Sequence, residues 1–298
     1  MFIAGPGILS QSWQLLKKHE RAFNMKYLFD EWNNLKEKLE QSRIFLFLDY
    51  DGTLTSIVDT PEQAIIPKNT KEILKALSEN NQCRVAIISG RALDDIKARV
   101  GLDGLVYVGN HGLEIYDDKL SFRWMMPPHF KETITEIKNR LKEVFAKTEG
   151  VLIEDKEFTL SLHYRMVHVE DAVIKSMFDK VINPYQAKGE ITIMAGKKVF
   201  EVRPAKGGRK GKIVMGLFLR ERLATNDMNI IPIYIGDDVT DEDAFKEMVN
   251  KKGVTIRVGK NDASLAHYYV NDAEEVTKLL EMILKLKKGT SNVDTRKS

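Results

Sequence analysis

Short runs of apolar residues at 44–48 (IFLFL), 85–88 (VAII), 106–108 (VYV), 231–235 (IPIYI) and 254–258 (VTIRV) constrain this chain's fold more than any other feature. Each run is apolar on both faces, or nearly so. That suits a strand only where helices cover the sheet on both sides, as in a parallel sheet. Helical patterns fall between the runs, over residues 69–77, 91–100, 211–223, 241–249 and 273–286. Strand and helix alternating in this way predict a doubly wound, Rossmann-like α/β core.

The stretch 118–203 breaks that rhythm. It reads as helix (130–147), strand (151–154), strand (159–165), helix (170–181) and a strand pair (191–194 and 199–203). Leu160, Leu162 and Tyr164 alternate with Ser161, His163 and Arg165, the pattern of an antiparallel sheet with one open face. The expected organisation is therefore a core over 42–117 and 204–286 with a small α+β module inserted at 118–203. Residues 1–41 read as a helical extension, because Leu28, Trp32, Leu35 and Leu39 form one helical stripe and Met25 offers an alternative start. The polar tail 287–298 is expected to be disordered.

Composition narrows the function classes. No apolar run approaches the ~18 residues of a transmembrane helix. The formal charge of +3 is too small to imply nucleic acid by itself. The one cysteine, Cys83, excludes an internal disulfide and a cysteine metal cluster, and fits a reducing compartment. With no basic segment before the short apolar stretch at the N-terminus, no signal peptide is expected, and the chain reads as cytoplasmic.

The chemistry gathers where strands end. Asp49 and Asp51 of Asp49-Tyr50-Asp51-Gly52-Thr53 follow the first apolar run. In a parallel sheet this is the edge of the ligand crevice, and two carboxylates there can divide labour between nucleophile and proton carrier. A calcium loop is disfavoured, because Thr53-Leu54-Thr55 does not continue its ligand pattern. Ser89 of Ile87-Ile88-Ser89-Gly90-Arg91 follows the second run at a helix start, either an anion site or an ordinary cap. The basic loop from Pro204 to Lys212 lacks Walker A spacing, which argues against a nucleotide P-loop. After IPIYI comes Gly236-Asp237-Asp238-Val239-Thr240-Asp241, where clustered carboxylates repel one another unless a cation or a helix N-terminus offsets them. Asp237 is the candidate ligand, and an all-oxygen site suits Mg²⁺.

These motifs resemble those of haloacid-dehalogenase-superfamily phosphatases. DYDGT is similar to motif I, Ser89 to motif II, a lysine of the basic loop to motif III, and GDDVTDEDAF to motif IV. GNHGLEI (109–115), LHYR (162–165) and EVRP (201–204) resemble trehalose-6-phosphate phosphatases in particular, whose type IIB cap would correspond to the insert. Ala205 and Lys206 interrupt the family's spacing, which leaves motif III between Lys210 and Lys212; the glycine after Lys210 favours it.

The resemblance implies an aspartyl-phosphate mechanism. Asp49 would be the nucleophile and Asp51 the acid and base, with Ser89 and Lys210 on the phosphoryl oxygens. Mg²⁺ would be held by Asp49, the Asp51 carbonyl and Asp237, with Asp238 and Asp241 orienting the cluster. Arg91, His111, Glu114, His163, Arg165, Glu201 and Arg203 are the implied substrate contacts. A sugar phosphate is the implied substrate, with trehalose-6-phosphate synthase as a functional partner and neither nucleic acid nor membrane. The alternatives are a sucrose-phosphate or mannosyl-3-phosphoglycerate phosphatase, or a catalytically silent sugar-binding or scaffold module.

Overall fold

The computed structural model describes residues 25–294 apart from 59, 118, 120–121, 126–127, 197, 206–208, 250 and 252. Expectations for residues 1–24 and 295–298 lie outside the described residues.

The main sheet is built from β1 (Lys26–Tyr27), β2 (Arg43–Asp49), β3 (Cys83–Ile88), β4 (Val106–Gly109), β5 (Glu114–Asp117), β6 (Phe122–Met125), β11 (Ile230–Gly236), β12 (Val254–Val258) and β13 (Tyr268–Val270). A second sheet holds β7 (Leu152–Asp155), β8 (Leu160–His163), β9 (Ile191–Gly196) and β10 (Val199–Pro204). The helices are α1 (Trp32–Glu40), α2 (Lys68–Glu79), α3 (Leu93–Val100), α4 (Pro128–Val144), α5 (Asp171–Ala187), α6 (Lys210–Thr225), α7 (Glu242–Val249) and α8 (Ala273–Asp294).

In space the main sheet runs β1-β13-β12-β11-β2-β3-β4-β5-β6, parallel as far as β4 and antiparallel beyond it. The continuous apolar runs are explained by its two covered faces. Ile44, Leu46 and Leu48 of β2 pack with Leu74 of α2 and Leu280 of α8, while Phe45 and Phe47 face Val214 of α6 and Phe245 of α7. β2 lies between β3 and β11, so the strand order reverses beside it and a crevice opens at its carboxyl end.

The structure corrects several boundaries. Of the expected helical extension, the described residues are helical only over Trp32–Glu40, while Lys26 and Tyr27 pair in parallel with Tyr268 and Tyr269. Leu28 is buried with Leu35 and Leu39, but from a turn. β6 pairs with β5, so the main sheet reaches Met125 and the inserted module starts beyond the expected residue 118. The polar tail is helical as far as Asp294, because Lys287 is buried and donates to the carbonyls of Leu39, Glu40 and Ser42. Those carbonyls close the C-terminal end of α1, where a cation is favoured.

In the inserted module the second sheet, in the order β7-β8-β10-β9, packs with α4 and α5 around Leu162, Phe178 and Phe200. Its β8 ends at His163, two residues before the expected end at Arg165. The module docks on the turn Asn110–Gly112. Asn110 donates to the Lys156 carbonyl at 2.8 Å and accepts from Thr159 Oγ1 at 3.0 Å, and Leu113 packs on Phe158. Asn110 and His111 are both left-handed, at φ 48° and 54°, a conformation that Asn and His tolerate better than most residues.

Candidate active site

Asp49 is the last residue of β2, Ser89 follows β3, Asp237 follows β11, and Lys210 opens α6. The crevice at the sheet's carboxyl edge collects all four. The buried Lys210 Nζ donates to Asp49 Oδ1 at 2.8 Å and to Asp241 Oδ1 at 2.7 Å. Lys212, the other motif III candidate, is exposed. Asp241 is also fully buried: it accepts from Tyr234 Oη at 2.7 Å and from the Asp238 amide at 2.9 Å. Both its oxygens therefore have donors from the chain. Asp238 caps the same turn by accepting from the Val239 amide at 2.6 Å.

Asp237 differs. Its Oδ1 is buried without a hydrogen-bond partner. Carboxylate oxygens of Asp49, Asp237 and Asp241 lie within 4.8 Å of one another. Gly52, at φ +80°, makes the packing possible, since a Cβ there would sit 2.2 Å from Asp237 Oδ2. Burial, reinforced by Asp241 and Asp238, pushes the Asp237 carboxyl up to about 7. Burial also raises Asp49 well above the usual carboxylate range, although Lys210 opposes it. Burial works against the Lys210 ammonium, but Asp241 and Asp49 hold its pKa above the ordinary lysine value. Three carboxylates with one ammonium leave excess negative charge in a buried place. A hard dication fits this donor set, with the unpartnered Asp237 oxygen as the first ligand it would satisfy.

Asp51 does not enter that cluster. Its side chain, 48% exposed, is gripped by Arg91: Nε donates to Oδ1 and Oδ2 at 3.2 and 2.9 Å, and Nη2 to Oδ1 at 2.6 Å. Arg91, expected as a substrate contact, is thus committed to a carboxylate of the chain. The buried Ser89 Oγ accepts from the Arg91 amide at 3.1 Å, leaving its proton as a donor.

A cavity of about 350 Å³ lies between the inserted module and the main sheet, lined by residues including His111, Thr192, Met194, Arg203, Lys210 and Thr240. Of the expected sugar contacts, His111 and Arg203 face it. Arg203 hydrogen-bonds Glu201, and His111 Nε2 is 3.0 Å from Glu201 Oε1 and 2.8 Å from Arg203 Nη2. A single ring nitrogen serves only one of these at a time. Burial keeps the imidazole neutral by lowering its pKa to about 4, and its tautomer decides whether Nε2 donates to Glu201 or accepts from Arg203. Burial opposes the Glu201 carboxylate, yet His111, Lys156 and Arg203 hold it far below the usual range.

The other expected contacts, Glu114, His163 and Arg165, do not line that cavity. Glu114 Oε2 accepts from the Leu93 amide at the start of α3 at 3.2 Å and from Asn110 Nδ2 of the turn at 2.7 Å. His163 pairs with Glu154 at 3.0 Å. Arg165 lies in an exposed turn past the strand end and shares no strand face with His163. Sequence reasoning missed Tyr234 and Asn110. Tyr234 carried a signal, as the one hydroxyl in an otherwise aliphatic strand, three residues before Asp237.

A family model described as trehalose-phosphatase matches residues 47–274. Probable trehalose-phosphate phosphatase J of Arabidopsis thaliana is 34% identical over 291 residues, covering 93% of this chain and 74% of the relative. Trehalose-phosphate phosphatase B of the same plant is 31% identical over 292 residues, covering 94% and 74%. Among solved structures, the C-terminal domain of a C. albicans trehalose-6-phosphate phosphatase is similar at a TM-score of 0.71 and 26% identity, covering 88% of this chain and 99% of that domain.

Proposed function

This chain belongs to the trehalose-phosphatase family of phosphoric monoester hydrolases, and we propose that it hydrolyses trehalose 6-phosphate to trehalose and inorganic phosphate through a phosphorylated Asp49. One observation carries the reading: Lys210 contacts Asp49 at 2.8 Å at the carboxyl end of the central strand, the place where a phosphoryl group meets both nucleophile and cation.

An Asp49 oxygen attacks phosphorus as the bond to the sugar oxygen breaks. That oxygen keeps the electron pair and takes a proton from Asp51. Asp51, now a carboxylate, removes a proton from water, whose oxygen attacks phosphorus. The Asp49–phosphorus bond breaks, and phosphate leaves with Asp49 restored. Lys210 and the Ser89 hydroxyl hold the equatorial oxygens of the transferring group. Asp241, itself held by the Tyr234 hydroxyl, keeps Lys210 in place. Asp49, Asp237 and the Asp51 main-chain carbonyl would hold Mg²⁺, which when bound supplies positive charge opposite the phosphoryl oxygens.

The sugar occupies the cavity, where His111 and Arg203 present polar groups to its hydroxyls. No helix among the described residues is long and apolar enough to cross a membrane. The single free cysteine supports a reducing, cytoplasmic setting. A trehalose-6-phosphate synthase, which makes the substrate, is the functional partner. The test is phosphate release from trehalose 6-phosphate, sucrose 6-phosphate and mannosyl-3-phosphoglycerate, each with Mg²⁺ or with chelator. Preference for the first, abolished by chelator, supports the reading; preference for another sugar refutes the substrate.

A further inference from the structure

Each of the three guanidinium nitrogens of Arg91 is committed. Besides the three contacts to Asp51, Nη2 donates to the Pro61 carbonyl at 2.8 Å and Nη1 to Asp95 Oδ2 at 3.2 Å. Asp95 is held in turn by Arg99 Nε, 2.9 Å from both its oxygens. The Arg91 side chain is only 9% exposed, whereas Asp51 at its end is 48% exposed. Arg91 cannot turn to a sugar without releasing Asp51.

We propose that Arg91 is a positioning residue for the reaction. It fixes the Asp51 carboxyl in the orientation proton transfer requires, Asp95 and Arg99 steady it from behind, and it makes no contact with the sugar. The inference rests on the assignment of Asp51 as acid and base. A half-exposed aspartate past a strand end has several staggered rotamers open to it. A planar fork on both oxygens removes that freedom in a way a lysine's point charge does not. A small misplacement of a reacting group costs up to about 10²-fold in rate.

The test uses the full chain with Mg²⁺ and sugar-free phosphate esters graded by leaving group, from 4-nitrophenyl phosphate through phenyl phosphate to glycerol phosphate. The quantity read is kcat/KM, which covers events up to departure of the alcohol. A nitrophenolate leaves with little help from a proton, whereas an alkoxide needs one. Arg91→Lys is expected to lose about tenfold or more on glycerol phosphate and less than about threefold on 4-nitrophenyl phosphate. Asp95→Asn, which leaves Arg91 in place and serves if the first variant does not fold, is expected to shift the series in the same direction by less. An equal loss across the series means a merely structural role and overturns the proposal. So does a loss confined to trehalose 6-phosphate, which would make Arg91 a sugar contact. Failure of the unmutated chain to hydrolyse any ester overturns the functional reading along with it, whereas a flat ratio of variant to parent overturns this inference alone.

Discussion

His111 joins the main sheet to the inserted module, and its burial makes that junction sensitive to acid. The imidazole pKa falls from 6.5 to about 4 in the folded chain. Between those values the unfolded chain binds a proton that the native state refuses. Stability present above 6.5 is therefore lost as pH falls towards 4. The loss is about 2 kcal/mol by pH 5 and roughly 3 kcal/mol when complete, at about 1.4 kcal/mol per tenfold. Asn at position 111 keeps the left-handed backbone accessible and removes the titration. Urea unfolding of the parent and of His111→Asn at pH 7, 6 and 5 isolates the effect, since groups that titrate alike in both cancel. The parent should lose about 2 kcal/mol more than the variant between pH 7 and 5. Parallel pH profiles would refute the claim that a buried neutral imidazole holds the two parts together.

Asp49→Asn should abolish turnover while leaving the fold intact, checked by phosphate release and circular dichroism, because an amide is no nucleophile. Lys287→Met keeps the aliphatic stem but strips three carbonyls of a buried donor; a loss of about 2 kcal/mol in urea unfolding is expected. Arg203→Ala should weaken turnover of trehalose 6-phosphate by about 1–3 kcal/mol in kcat/KM, with much less effect on 4-nitrophenyl phosphate, which needs no sugar contact.

The central strands were legible because two covered faces leave an unmistakable signature, and IFLFL and IPIYI are strands at the middle of the sheet. Asp49, Ser89 and Asp237 were legible for the same reason, since a polar residue that ends an apolar strand lies at the crevice. What failed was local pattern judged without its tertiary partner. Lys26 and Tyr27 read as helix until β13 offers them a parallel neighbour. Lys287 looks like a solvated tail residue until the open carbonyls of α1 are placed against it. Alternation put His163 and Arg165 on one strand face, but the strand ends between them. The pairings of Arg91 and Glu114 were not legible because they involve residues 40 and 21 positions away.

The most direct test of phosphoryl transfer to Asp49 is to mix Asp51→Asn with Mg²⁺ and 4-nitrophenyl phosphate, whose leaving group needs no proton, quench in acid within seconds, and map the modified peptide by mass spectrometry. Without the Asp51 carboxylate, water attack slows, so the phosphoryl group should accumulate on Asp49. Phosphate released at the parental rate with no adduct on Asp49 would mean that water attacks the ester directly, and would contradict the mechanism.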